Sequence, residues 1–313
     1  MLLKADQWKD YTCLDAGNGE KLEQWKGIVL RRPDPQAIWP VQDKTEWKKA
    51  DAVYHRSDKG GGSWEYKKKL PESWTIDYKD LTLKVSPTGF KHTGIFPEQA
   101  VNWDWMSQLI KAHPDEEIRV LNLFAYTGGA TMACAAAGAA EVVHVDASKG
   151  MVQWAKENRD LSHLDDRTIR FIVDDCMKFV EREKRRGHTY HGILMDPPSY
   201  GRGPNGEMWK FEKEITGLIQ ACLEILDDHA LFFLINSYTT GFSSIVLEDL
   251  MKTMILPDHP DGIVSTGEIA LPLQNRDLLL PWTYVPIQPD ILRRSGGKLH
   301  SILPSSGHEC RPS

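Results

Sequence analysis

The sequence predicts an α/β fold: a Rossmann-like, mostly parallel sheet with helices on both faces, preceded by a small β-rich N-terminal domain. Three observations carry this. From Ile118 onward, apolar runs of strand length alternate with helix-length segments. The first of these strands meets a small-residue helix through a glycine-containing turn, Tyr126 to Gly129, and the next strand ends in a carboxylate, Asp146. Ahead of residue 90 that alternation is missing, and short β-type runs are separated by prolines and glycines.

The β-type runs of the N-terminal part are Gly27 to Leu30, Ala52 to His55, Trp64 to Tyr66, Thr75 to Tyr78 and Leu81 to Val85. Between them lie Pro33, Pro35, Pro40, the Gly60-Gly61-Gly62 loop and Pro71, which suggests a small antiparallel sheet or barrel-like domain over residues 1–90. This part holds six of the 11 tryptophans and carries 16 Lys and Arg against 14 Asp and Glu, whereas the whole chain has net charge −6. Its tryptophans (8, 25, 39, 47, 64, 74) stand near Arg31-Arg32, Lys48-Lys49 and Lys67-Lys68-Lys69. Two readings remain open: stacking on unpaired bases beside phosphate-binding cations, or tryptophan as core filler with lysine as solubiliser.

Residues 91–285 read as the catalytic unit. Ser86 to Gly94 is turn chemistry, and a helix begins near Glu98, with Pro97 at its first turn. Strands follow at Ile118 to Leu123 and up to Asp146, then a helix from Ser148, its plausible N-cap, to Asn158. A strand over Thr168 to Val173 leads to Asp174-Asp175, a charged helix runs from Cys176 to Arg186, and a strand over His191 to Met195 ends at Asp196-Pro197-Pro198. Ser199 to Glu207 reads as a polar loop before a helix spanning Met208 to Leu226. An apolar strand, Ala230 to Ile235, ends at Asn236-Ser237, and the last helix is Ser244 to Met254. Ile269 to Leu273 and Leu278 to Val285 are expected to close the sheet, and residues 286–313 to form an irregular or disordered tail.

The polar residues at the strand ends coincide with where open α/β sheets bind ligands, outside the carboxyl ends near the reversal of strand order. Asp146 stands eighteen residues beyond Gly128, the interval expected of an acid that takes ribose hydroxyls. The turn lacks G-x-G-x-x-G and carries bulky Phe124 and Tyr126, which suits a ligand without phosphates. Asp175 can accept from an adenine amino group or cap the following helix. In Asp196-Pro197-Pro198-Ser199-Tyr200, two prolines make a rigid elbow whose main-chain carbonyls can bind an amino group on a planar base. Tyr200 can stack on an aromatic ring.

Totals exclude several classes. No run approaches the length of a membrane span, the N-terminus lacks a secretory leader's apolar core, and five scattered cysteines lack metal-type spacing. The expectation is a cytoplasmic protein without a metal. His188 and His191 read as solvated loop residues. The negative charge argues against nonspecific coating of nucleic acid.

The motifs N-L-F-A-Y-T-G-G-A (122–130), H-V-D-A-S (144–148), W-A-x-x-N (154–158), D-D (174–175) and D-P-P-S-Y (196–200) resemble the class I S-adenosylmethionine-dependent methyltransferases. More narrowly, they resemble the RlmI-like ribosomal RNA methyltransferases, and T-G-I-F-P-E-Q-A-V-N (93–102) is similar to a segment that helps close that group's cofactor site. The resemblance covers residues 86–280. It implies a class I methyltransferase sheet, S-adenosyl-L-methionine as cofactor and an RNA substrate, ribosomal RNA first. By position it implies that Phe96, Gln99, Asn122, Phe124, Tyr126, Thr127, Gly128 and Gly129 meet the cofactor, the last five around its methionine part. It places Asp146, with Ala147 and Ser148, at the ribose, and Asp175 and Cys176 beside adenine. Asn158 falls near the cofactor-binding helix, and Asp196, Pro197, Pro198 and Tyr200 face the methyl acceptor, with Asp196 also meeting the cofactor.

One departure bears on chemistry. Cytosine carbon-5 methylation requires a thiolate that adds to the ring, and the family's carbon-5 enzymes keep it after the fifth strand, where this chain has Asn236-Ser237. Transfer to nitrogen is therefore favoured. The competing readings are a methyltransferase on protein or a small molecule, a nicotinamide-dependent oxidoreductase, and a binding module without catalysis.

Overall fold

The computed structural model of the protein describes residues 2–57, 61–89, 91–202, 208–237, 242–282 and 288–291. The chain opens with β1 (Leu2–Lys4), β2 (Tyr11–Gly17), β3 (Glu20–Trp25) and β4 (Ile28–Pro33). Between β2 and β3, Asn18 and Gly19 have φ of 53° and 77°, the left-handed pair that a two-residue type I′ hairpin requires. A short helix, α1 (Lys44–Trp47), is capped by Asp43, whose side chain accepts from the Thr45 N–H. β5 (Ala52–Arg56) and β6 (Gly62–Tyr66) then complete an open five-stranded sheet, in which β6 is an edge. β7 (Trp74–Tyr78) and β8 (Leu81–Val85) form a separate hairpin.

A 3₁₀ turn (Pro97–Gln99) leads into α2 (Ala100–Lys111), β9 (Arg119–Leu123), α3 (Gly129–Ala136), β10 (Glu141–Asp146) and α4 (Lys149–Leu161). There follow β11 (Ile169–Val173), α5 (Cys176–Arg186), β12 (Gly192–Met195), β13 (Tyr200–Arg202), β14 (Met208–Lys210), α6 (Phe211–Leu223) and β15 (Phe232–Ile235). The remainder is α7 (Ser244–Ile255), β16 (Gly262–Ser265), β17 (Glu268–Pro272), β18 (Leu279–Trp282) and β19 (Gln288–Ile291). The main sheet has the order β11-β10-β9-β12-β15-β19-β16. β11, β10, β9, β12 and β15 are parallel, and β19 runs antiparallel to both neighbours.

Alternate residues of the central strands point to two apolar layers. Val120, Leu194, Phe232 and Leu234 pack with Trp103 and Met106 of α2 and Met132 of α3. Leu121, Leu123, Ile193, Met195, Phe233 and Ile235 pack with Phe179 of α5, Ile215 and Leu218 of α6 and Met251 of α7. Each fully buried side chain of this size contributes about 1.5–3 kcal/mol, so strands of four residues suffice when both faces are covered.

Three expectations are corrected. The runs expected to close the main sheet are β17 and β18, and they form a three-stranded sheet with β1 from the N-terminus; residues 283–285 lie outside the described set. The main sheet is completed instead by β16 and β19. β19 falls inside the segment expected to be irregular, whose residues from 292 on lie outside the described set. Both strands are four residues of mixed polarity, G-I-V-S and Q-P-D-I, too short for any period. The expected polar loop contains β13, and β14 takes the first three residues of the expected helix, so α6 starts at Phe211; residues 203–207 are outside the described set.

The β7–β8 hairpin belongs physically to the core. The Thr82 N–H donates to Ser162 Oγ (3.1 Å), the Lys84 N–H to Asn158 Oδ1 (2.8 Å), and the Trp154 indole to the Lys84 carbonyl (3.3 Å).

Candidate active site

The order of strands reverses between β9 and β12, and a cleft of about 560 Å³, its open mouth included, lies at their carboxyl ends. Phe96, Gln99, Asn122, Phe124, Tyr126, Thr127, Gly128, Gly129 and Asp196 all line it. Asp146, Ala147, Ser148, Asn158, Asp175, Cys176, Pro197, Pro198 and Tyr200 stand outside that lining.

The turn after β9 is held in a costly shape. Phe124 and Tyr126 have φ of 54° and 51°, left-handed values that cost a side-chain-bearing residue about 1–2 kcal/mol each. Gly128, at φ 83°, caps α3. What fixes Tyr126 is Asp146: its Oδ2 accepts the Tyr126 N–H and its Oδ1 accepts the Ser148 N–H, both at 2.8 Å. Burial raises the Asp146 carboxyl, and these two backbone donors counter it. From the other side, the Asn158 amide donates to the Thr127 carbonyl (2.8 Å), and Thr127 Oγ1 donates to the Gly94 carbonyl (2.5 Å). Asn158 thus spends both ends of its amide on backbone, at Lys84 and Thr127. It supports the turn from behind and does not face the cleft.

Asn122 reaches the cleft from β9, with its amide donating to Thr131 Oγ1, which meets His144 Nδ1, each at 2.9 Å. The Thr131 hydroxyl accepts from Asn122 and so donates to His144, leaving that imidazole neutral; burial pushes it down to about 3. Burial likewise lifts the Tyr126 hydroxyl to about 12, so that phenol is no base near neutrality.

At the adenine side expected from the resemblance, Asp175 is half-buried and caps α5, accepting from the Lys178 N–H (3.0 Å). Both readings of that residue stay compatible, because one carboxylate oxygen remains for a ligand. Cys176 is buried, and burial pushes its thiol well up.

The elbow at Asp196 opens from the end of β12. Tyr200 does not sit over the cleft: it is half exposed on β13, with its hydroxyl bonded to Met208 Sδ (3.2 Å). Trp209, which sequence reasoning missed, borders Phe124 of the lining instead. Its indole N–H donates to the Pro198 carbonyl (2.6 Å), and its ring lies 5.1 Å from that of Phe124. Asn102 was also missed, and it joins Asn236, which the sequence flags at its strand end. Asn102 donates to Gln99 Oε1 (2.8 Å) and Asn236 Oδ1 (3.1 Å), and Asn236 donates to Gln99 Oε1 (3.0 Å), closing a buried carboxamide cluster on the cleft wall. The available signal was the placement of Asn236 after the fifth parallel strand.

Glu98, beside Gln99, is buried, and neither carboxylate oxygen has a hydrogen-bond partner among the described residues. Burial raises it to about 7 despite nearby Lys21 and Arg32. Glu23, which also faces it, is held at about 2: burial works against it, but Arg32 and Lys21 outweigh burial. The fold accommodates neutral Glu98, so its contribution is complete below the ordinary carboxylate range and lost as pH rises through about 7. Glu98→Gln should therefore remove about 3 kcal/mol of stability loss between about pH 5 and pH 8. Thermal melts across that range check it: the variant's melting temperature declines less than the wild type's.

The fit to S-adenosylmethionine rests on the donor set. The lining offers the buried Asn102 Oδ1, without a partner among the described residues, and half-buried aromatic walls, while the Asp146 carboxylate holds the adjoining turn from outside it. A family model described as S-adenosylmethionine-dependent methyltransferase matches residues 49–249. The chain belongs to that family. It is 37% identical to the S-adenosylmethionine-dependent methyltransferase from Agrobacterium tumefaciens, whose crystal structure superposes with a TM-score of 0.87, covering 93% of this chain and 94% of that one. It is 30% identical over 203 residues to ribosomal RNA large subunit methyltransferase K/L of Shewanella baltica, covering 64% of this chain and 26% of that protein. It is 32% identical over 130 residues to ribosomal RNA large subunit methyltransferase I of Cronobacter sakazakii, covering 42% of this chain and 32% of that protein. The chain thus spans about a quarter to a third of these curated relatives. Family membership disposes of the nicotinamide reading. Among the described residues no helix is long and apolar enough to cross a membrane, and no group of three metal-ligating side chains gathers.

Proposed function

We propose that this methyltransferase modifies a nitrogen of an RNA base, with ribosomal RNA the first candidate and the cytoplasm its place of action. The observation that carries the choice of atom is the absence of a usable thiol: among the described residues no cysteine lines the cleft. Cys13, Cys134, Cys176 and Cys222 are all buried, with burial raising each thiol, Cys134 to about 12. Where a carbon-5 enzyme needs a nucleophile, Asn236 is tied to Gln99 and Asn102. The names of the ribosomal RNA methyltransferase relatives support RNA as the substrate class.

S-adenosylmethionine supplies a methyl group on a sulfonium, already activated for transfer. The protein's work is then to bind, orient and exclude water. Asp146 would take the ribose hydroxyls and Asp175 the adenine side, while the turn from Phe124 to Gly129 would hold the methionine part. An incoming amino group would meet the main-chain carbonyls of the Asp196-Pro197-Pro198 elbow, where the Pro198 carbonyl already accepts from the Trp209 indole and keeps a second lone pair. Phe124 and Trp209 form an aromatic wall beside them that keeps water from the reacting nitrogen.

The test is methylation of total RNA, protein and small-molecule fractions with a methyl-labelled donor, followed by digestion of the RNA to nucleosides. The expected product is an N-methylated nucleoside. Label in 5-methylcytidine would contradict the nitrogen assignment, and label confined to protein or small molecules would contradict the RNA assignment.

A further inference from the structure

The N-terminal tryptophans are mostly structural. Trp25 and Trp47 are buried, and the indoles of Trp8, Trp39 and Trp47 donate to Pro97 O, Ala16 O and Asp15 Oδ2. One aromatic pair behaves differently. On edge strand β6, Trp64 and Tyr66 share a face and stack at 6.4 Å with 30° between planes; Tyr66 is 53% exposed. Immediately after it come Lys67, Lys68 and Lys69, all exposed. Lys68 pairs with Asp51, while no ion pair among the described residues engages Lys67 or Lys69.

This pair connects physically with the cleft. The Trp64 indole donates to the Thr88 carbonyl (2.8 Å), and Thr88 Oγ1 donates to the His92 carbonyl (2.9 Å). The His92 ring lies 5.2 Å from Phe96, and Phe96 lies 5.4 Å from Tyr126; both of the latter line the cleft. A run of aromatic rings, interrupted once by Thr88, therefore leads from an exposed basic edge to the candidate active site.

We infer that Tyr66, Trp64, Lys67 and Lys69 form a docking surface for a single-stranded RNA segment that flanks the methylated base. An unpaired base stacks on the open face of Tyr66, and the two lysines hold the adjoining phosphates. A protein strand added to the edge would use backbone pairing along β6 and would have no need of the ring or the cations. The inference rests on the RNA reading of the preceding subsection and deepens it.

The test uses the full chain and a fluorescein-labelled oligouridylate of about 12 nucleotides, with affinity read by anisotropy. Tyr66→Ala should weaken binding about 10-fold, and Tyr66→Phe should bind as wild type, because stacking needs the ring alone. Replacing Lys67 and Lys69 with Gln should reduce the slope of log affinity against log salt by about 1.4, two phosphate contacts on a single strand. All variants should keep wild-type affinity for S-adenosylhomocysteine, which shows that the fold survives. If wild type methylates RNA and Tyr66→Ala does so with unchanged KM and oligonucleotide affinity, this surface is wrong and the RNA reading stands. If wild type methylates only protein or small molecules, both fail together.

Discussion

Asp146→Ala weakens S-adenosylhomocysteine binding by about 100- to 10,000-fold, the equivalent of about 3–6 kcal/mol for two hydrogen bonds to a charged acceptor. The size of the effect follows from two roles in one side chain. Each oxygen already accepts a backbone N–H, from Tyr126 and Ser148, and each keeps a lone pair for a ribose hydroxyl. Removing the carboxylate would lose the proposed ribose contacts and also release Tyr126 from its left-handed conformation. Asp146→Asn should be nearly as damaging, since its amide NH₂ would face one of those two N–H groups. Isothermal titration checks both variants; wild-type affinity in Asp146→Ala would show that the ribose is held elsewhere.

Asp196→Ala has the complementary signature. Turnover should fall about 100-fold, the scale of losing one preorganised polar group at a reacting centre, while S-adenosylhomocysteine affinity changes less than about 3-fold. Asp196 follows the end of β12 and lines the cleft, and its main-chain N–H is anchored to the Leu123 carbonyl (3.3 Å). The elbow's shape therefore comes from backbone and prolines and survives loss of the carboxylate. Single-turnover kinetics with labelled donor measure the effect. Equal loss of binding in Asp146→Ala and Asp196→Ala would mean that donor and acceptor sides have been assigned to the wrong residues.

What the sequence made legible is the part of the fold whose residues are buried on both faces. β9, β10, β11, β12 and β15 are apolar runs joined by helices of ordinary length, and their polar terminal residues stood out by contrast. The edges were not legible, because β16 and β19 are short and of mixed polarity, and β1 finds its partner β17 across most of the chain. The β2–β3 hairpin was missed although Asn18-Gly19 is a strong turn signal, because the strands around it carry Lys21 and Glu23. Those two side chains are buried as a pair (3.3 Å), which breaks the alternation a strand would show. At the site, residues of the turn were found because glycines mark a backbone need. Asn158 was singled out by position alone, and only the structure shows its amide bonded to Lys84 and Thr127. Trp209 was missed because its contact with Phe124 depends on the β13–β14 hairpin folding back.

The most direct measurement of the central claim is calorimetric titration of the full chain with S-adenosylhomocysteine, alongside NADH as a control. The account predicts one site of about micromolar affinity for the first and none for the second. No heat with S-adenosylhomocysteine, at protein concentrations able to reveal micromolar binding, would contradict it.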